Sequence, residues 1–533
     1  MRVLCVFPAA MPSSSRPPAC LALVALFLAQ LLHLSFSSHA GDRRPLPVDR
    51  APGLKEKTLI LLDVSTKNPV RTVSENFLSL QLDPSVIQDG WLDFLSSKRL
   101  VTLARGLSPA FLRFGGKRTD FLQFQNLRNP AKSRGGPGPD YYLKNYEDDI
   151  VRSDVALDKQ KGCKIAQHPD VMLELQREKA AQMHLVLLKE QFSNTYSNLI
   201  LTEPNNYRTI HGRAVNGSQL GKDYIQLKSL LQPIRIYSRA SLYGPNIGRP
   251  RKNVIALLDG FMKVAGSTVD AVTWQHCSID GRVVKVMDFL KTRLLDTLSD
   301  QIRKIQKVVN TYTPGKKIWL EGMVTTSAGG TNNLSDSYAA GFLWLNTLGM
   351  LANQGIDVVI RHSFFDHGYN HLVDQNFNPL PDYWLSLLYK RLIGPKVLAV
   401  HVAGLQRKPR PGRVIRDKLR IYAHCTNPHN HNYVRGSITL FIINLHRSRK
   451  KIKLAGTLRD KLVHQYLLQP YGQEGLKSKS VQLNGQPLVM VDDGTLPELK
   501  PRPLRAGRTL VIPPVTMGFY VVKNVNALAC RYR

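Results

Sequence analysis

Two glutamates in this chain stand at the ends of apolar runs. In IWLEGMVTTSAGG (318–330) the run stops at Glu321 and opens into a small-residue loop. In LTEPNNYRT (201–209) it stops at Glu203, followed by Pro204 and Asn205. Retaining glycosidases need two carboxyls roughly 5–5.5 Å apart, one to protonate the leaving oxygen and one to attack the anomeric carbon. Parallel barrels supply such pairs from the carboxyl ends of different strands. No metal-ligand spacing or phosphate-cradling glycine loop is evident, so no metal and no cofactor is expected.

Positioning such a pair requires strands that alternate with helices. The strand candidates are FLSLQLD (77–83), AFLRF (110–114), NLILT (198–202), ASLY (240–243), VDAVTWQH (269–276), KIWLE (317–321) and DVVIRHSFF (357–365). Helix-period stretches include Trp91–Leu107, Pro169–Phe192, Ser335–Gln354 and Pro381–Leu392. This alternation predicts an α/β fold, a TIM-type barrel. A closed barrel needs eight strand–helix units and only seven strands are found, so one unit is missing. Past residue 395 the texture changes to short alternating runs between turns and basic loops, which predicts a C-terminal β-sandwich over 395–533. KTLILLDV (57–64) is a candidate further strand of it. Cys425 ends an early sandwich strand and Cys530 follows the last one, a placement suited to a disulfide.

The remaining divisions follow from composition. Residues 1–40 read as a signal peptide, an apolar run behind Arg16 ending in SSHA. Residues 41–127 supply a sandwich strand and the first barrel elements. A polar linker, rich in Pro, Gly and charge, covers 128–165, and the rest of the barrel covers 166–394. Export makes cysteine pairing expected for Cys163, Cys277, Cys425 and Cys530, although spacing alone does not choose among three connectivities. Sequons at Asn216 and Asn333 agree with export and glycosylation.

The charge is unusual: 73 Lys+Arg against 39 Asp+Glu, a formal +34. Such an excess implies a polyanionic partner, and export favours extracellular glycan over nucleic acid. RKPRPGRVIRDKLR (407–420) includes Arg407, Lys408, Arg410 and Arg413. RSRKKIK (447–453) holds Arg447, Arg449, Lys450, Lys451 and Lys453. A single charge run is usually a solvated face. Several runs in one exported chain shift the reading toward sulfate binding.

GLSPAFLRFGGKRTDFL, EPNNY, NGSQLGKDYIQL, YGPNIGRPRK, VTWQH, GKKIWLEG and HLVDQNFNPLPDYWLSLLYKRLIGPKVL resemble the heparanase family of retaining endo-β-glucuronidases. The resemblance covers nearly everything after residue 40 and is nearest to a branch regarded as binding heparin and heparan sulfate without glycosidase activity. It implies a TIM barrel flanked by a β-sandwich. It assigns Glu203 the acid/base role, with Thr202 replacing an Asn that precedes the family's Glu. The family's nucleophile motif is Trp-Leu-Gly-Glu, whereas here Trp319-Leu320 precede Glu321-Gly322. Strand side chains alternate faces, so a one-residue slip is expected to turn Glu321 away from the cleft.

The resemblance further implies substrate contacts at Asp83, Lys117, Asn205, Arg251, Lys252 and Arg282. It implies an internal deletion before Glu203, which removes the partner of Cys163. The leading expectation is a secreted homologue that holds heparan sulfate, heparin and their proteoglycans at the matrix or cell surface without cutting them. Such a protein would compete with active heparanase for substrate. Two readings stand beside it. One is an active retaining endo-β-glucuronidase using Glu203 and Glu321; the other is a poorly folding splice form that acts only as an interaction module.

Overall fold

A computed structural model describes residues 59–83, 96–114, 199–200, 215–233, 241–365, 368–403 and 418–531. The signal segment, the 128–165 linker, Cys163, the 169–192 helix, Glu203, Asn205, Lys117 and the 407–413 basic residues lie outside the described residues. All described residues belong to one compact unit, Lys57–Arg533.

The described chain opens with β1 (Leu59–Val64) and β2 (Arg71–Thr72), which join the sandwich, and then enters the barrel with β3 (Leu78–Leu82). Barrel elements follow as α1 (Lys98–Gly106), β4 (Leu112–Phe114), β5 (Leu199–Ile200), α2 (Gly217–Leu231), β6 (Leu242–Ile247) and α3 (Lys252–Ala265). Next come β7 (Ala271–Trp274), β8 (Cys277–Ile279), α4 (Thr292–Tyr312), β9 (Lys317–Thr326), α5 (Tyr338–Asn353), β10 (Val358–His362) and α6 (Pro381–Leu392).

All seven strands expected of the barrel lie in one parallel sheet, in the order β4-β3-β10-β9-β7-β6-β5, with the short β8 on the end of β9. Among the described strands, β4 and β5 are the two edges of this sheet. No described strand joins those two edges. The described strands form a curled half-barrel sheet with helices on its outer face. Ile318, Leu320, Val272 and Val359 pack among helix residues such as Leu258, Ile302 and Leu348. Helices α2, α3 and α4 were not among the stretches picked out by periodicity; α4 carries nine buried residues on one face.

The sandwich strands are β11 (Ile393–Leu398), β12 (Val400–Ala403), β13 (Leu419–Thr426), β14 (Ile438–Asn444), β15 (Lys450–Leu454) and β16 (Val463–Pro470). They continue as β17 (Val481–Leu483), β18 (Gln486–Pro487), β19 (Arg502–Leu504), β20 (Leu510–Ile512) and β21 (Thr516–Val522). A four-stranded sheet, β12-β1-β15-β20, faces a sheet of nine strands built on β16-β21-β14-β13-β11. Between them lie Leu62, Leu440, Ile442, Ile452 and Tyr520, a separate apolar core. Strand β1 thus belongs to the sandwich, as its sequence suggested. The Cys425–Cys530 disulfide closes the far end.

The second face of the larger sheet is glued to the barrel helices. Tyr422 donates to Asn346 at 3.0 Å, Tyr338 donates to the Leu468 carbonyl at 2.9 Å, and Arg420 pairs with Asp296 at 2.6 Å. At Gly349 the approach is so close that a Cβ would stand 2.5 Å from the Tyr422 ring. Behind the barrel the buried Arg361 pairs with Asp382 at 2.9 Å and lies 5.0 Å from the Trp344 ring.

Candidate functional site: the inner face of the barrel

Residues paired across parallel strands share a face. The pairs Tyr243↔Ala271, Thr273↔Trp319, Val358↔Trp319 and Ile360↔Ser79 therefore mark one surface. Tyr243, Ala271, Trp319, Val358 and Ile360 form a small cluster apart from the helix-facing core, and this is the barrel's inner side. Phe111 stacks on Trp319 at 5.3 Å from the β4 side.

Above this apolar layer lies a polar one. Gln81 is aligned with Arg113 on β4 and His362 on β10, and its Nε2 is 3.0 Å from His362 Nδ1. Asp83 is buried, with Oδ2 3.7 Å from His362 Nε2. Glu321 reaches the same layer. Its Oε2 is 3.6 Å from Arg113 Nε, although β3 and β10 separate the two strands in the sheet. Only a curled sheet lets those side chains meet, and only on its inner side.

The expected facing of Glu321 is thereby corrected. The slip in the motif does not turn the carboxylate outward, because the strand contains a β-bulge. Val359 pairs with Leu320 and Arg361 with Met323, so Glu321 and Gly322 together oppose Ile360. The bulge places Gly322 at φ +60°, a left-handed conformation that glycine adopts without strain. Glu321 keeps Ile360's inward face, while Met323 is returned to the helix side.

What distinguishes Glu321 is depth. Its relative exposure is 0%, and neither carboxylate oxygen receives a hydrogen bond among the described residues. Burial pushes its pKa up to about 7, and the Arg113 charge offsets only part of that. A carboxyl so placed is shifted toward its protonated form and is not exposed at the surface.

The other expected site residues divide. Asp83 joins the polar layer. Arg251 occupies the position just before α3, without a side-chain capping bond, and is exposed beside Lys252, the first residue of that helix. Arg282 is exposed, but its guanidinium forks onto Asp280, at 3.1 Å and 2.9 Å, and that contact holds the Asp280 carboxyl down to about 2. Asn216 is exposed and caps α2, accepting from Ser218 and Gln219 through Oδ1; Asn333 is exposed at φ +57°. Cys277 is free, and burial pushes its thiol up to about 11.

The 447–453 basic run proves to be partly strand. Ile452 and Leu454 fill the sandwich core while Lys451 and Lys453 alternate outward. Arg447 and Arg449 are exposed just before it. Arg505 and Arg508, also exposed, precede β20, the strand paired with β15, and Lys453 donates to the Gly507 carbonyl. Those two arginines extend the patch and were missed by reading along the chain.

Arg113, Gln81, His362 and Asn246 were missed as well. A charged or polar residue at the alternate position of a buried strand is the signal that marks the first three. Asn246 is fully buried at φ +52°, its backbone donates to Thr273 Oγ1 at 2.9 Å, and neither side-chain polar atom has a hydrogen-bond partner among the described residues.

A parallel barrel sheet with a polar inner layer, backed by a β-sandwich, is an architecture found among glycoside hydrolases. Solved structures agree on the fold. A GH51 arabinofuranosidase from Xanthomonas axonopodis pv. citri superposes with a TM-score of 0.54 at 11% identity, covering 87% of this chain and 100% of that one. A 4-O-α-L-rhamnosyl-β-D-glucuronidase from Fusarium oxysporum 12S gives the same values. No protein-family model matches the sequence. Among curated proteins, those named Inactive heparanase-2 from Homo sapiens and Mus musculus are each 87% identical over 592 residues, with all of both chains covered. Heparanase from Mus musculus is 39% identical over 528 residues, 88% of this chain and 94% of that protein. The chain belongs to the heparanase family.

Proposed function

We propose that this protein is a secreted, non-cleaving member of the heparanase family that binds heparan sulfate and heparin through its basic surfaces and competes with active heparanase for those chains. The observation that carries the loss of cleavage is Glu321. A nucleophile must touch the anomeric carbon, and this carboxylate is fully buried and tied to Arg113. The position that holds the nucleophile in the family motif is Gly322, which has no side chain to offer. The name of the 87% identical relatives is consistent with this reading. An alignment of 592 positions against 533 residues is consistent with residues omitted from this chain, which the family resemblance puts directly before Glu203.

Binding is supported by the +34 charge and by the outward lysines of β15 with Arg447, Arg449, Arg505 and Arg508 around them. Polyanion contacts of this kind release counterions and weaken steeply with salt. Two measurements test the proposal. Heparan sulfate incubated with the purified protein should keep its chain length, and shortening that Glu203→Gln abolishes would overturn the reading. Retention on heparin should fall when Arg447, Arg449 and Lys451 are changed to Gln, and fall further when Arg407, Lys408, Arg410 and Arg413 are also neutralised. An unchanged elution salt would remove both clusters from the binding surface.

A further inference from the structure

A cavity of about 490 Å³ opens at the amino-terminal end of the barrel strands, the end opposite the one toward which Glu321 lies. Its lining comes from residues at or just before the starts of β6, β7 and β9: Ser241, Tyr243, Asp270, Lys316, Lys317 and Trp319. The volume falls within the range of roughly 300–1,000 Å³ typical of small-molecule sites. The Tyr243 and Trp319 rings lie 4.2 Å apart in the cavity wall and are both largely buried, with Phe111 stacked on Trp319 at 5.3 Å. The Trp319 indole N–H is buried and has no hydrogen-bond acceptor among the described residues.

The charges around it are specific. Lys316 is committed, donating to the Val269 carbonyl at 2.8 Å. Asp270 is exposed and accepts from the Leu242 N–H through Oδ2 at 2.7 Å, leaving Oδ1 for a hydroxyl. Lys317 is exposed and has no acidic partner among the described residues. A carboxylate accepts the hydroxyls of a pyranose, an indole N–H donates to a ring or hydroxyl oxygen, and a free ammonium pairs with an anionic substituent.

We propose that this cavity is a second binding site, distinct from the polar inner layer and the sandwich patch, and that it takes a single acidic sugar residue. The glycan is then held at two separate places on one protein, with the Asp270 carboxylate and the Trp319 N–H beside Lys317 giving selectivity that a charged surface alone lacks.

The test uses the full-length protein and glucuronic acid, followed by saturation-transfer NMR, with glucose and inorganic sulfate as comparison probes. Glucuronic acid should bind, and glucose more weakly. Lys317→Ala, a change at an exposed position, should weaken glucuronic acid about two- to fivefold, the range of one exposed ion pair, and leave glucose unaffected. Trp319→Phe should weaken both sugars. Binding of glucose equal to that of glucuronic acid, displacement of the sugar by sulfate alone, or indifference to Lys317→Ala would each overturn the assignment. Changing Arg447, Arg449 and Lys451 to Gln should leave this titration untouched while lowering heparin retention, so this site and the heparin-binding proposal fail independently.

Discussion

Replacing Glu321 with Gln should change how stability depends on pH more than it changes stability at any one pH. In the folded chain the carboxyl titrates near 7 instead of 4.5, because burial disfavours the anion and Arg113 offsets that only in part. A displacement of that size corresponds to roughly 3 kcal/mol of preference for the protonated form. The folded pKa lies above the unfolded one, so the stabilising preference is fully present below about pH 4.5 and is lost as pH rises through 7. Between pH 5 and pH 8 this single group removes about 2–3 kcal/mol from the wild type. Glutamine keeps the shape and cannot ionise. The attraction of Arg113 is already contained in the shifted value, so it needs no separate correction. At roughly 2.1 cal/mol/K of unfolding entropy per residue, a chain this long shifts its Tm by about 1 °C per kcal/mol. Thermal melts at half-unit steps should therefore show the Glu321→Gln curve overtaking wild type by about 2–3 °C at pH 8. Parallel curves would mean that Glu321 is hydrated or well hydrogen-bonded, and burial would then give no reason to deny this residue a catalytic role.

Other changes probe the supports of the same site. Gly322→Ala should lower stability by about 1–2 kcal/mol, since the bulge holds φ at +60° and a Cβ there meets the Gln275 side chain at 3.4 Å; calorimetry would read this as a small fall in Tm. Opening the Cys425–Cys530 bridge by paired Ser substitutions releases a loop with a sequence separation of 105 and should cost about 2–5 kcal/mol, measurable by denaturant titration of the oxidised and mutated chains. Arg361→Leu leaves Asp382 buried without its partner and should destabilise by roughly 3–5 kcal/mol, whereas Arg361→Leu with Asp382→Leu should recover much of that loss, both read from denaturant midpoints.

Much of the architecture could be read along the chain because its signals are local. Seven apolar runs gave seven strands of one sheet, and the count itself fell one short of a closed barrel. The change of texture after residue 395 marked the sandwich, whose strands alternate with period two. Helices α2, α3 and α4 were not picked out, although α4 shows its apolar stripe plainly once its ends are known.

The site divides along a different line. From sequence come the types and positions of the carboxylates, the exchanged Glu321-Gly322 order and the basic runs, since each is a property of neighbouring residues. The direction of Glu321 is not such a property. Alternation along an ideal strand predicts that a slip of one residue reverses a side chain, but a bulge absorbs the slip, and the bulge is defined by how β9 pairs with β10. The partnership of Glu321 with Arg113 joins residues some two hundred positions apart across the curl of the sheet, and the union of β15 with Arg505 and Arg508 rests on strand pairing in the sandwich. Tertiary structure alone fixed these, because solvent exposure and ion pairing depend on which distant segments come to lie within a few ångströms of one another.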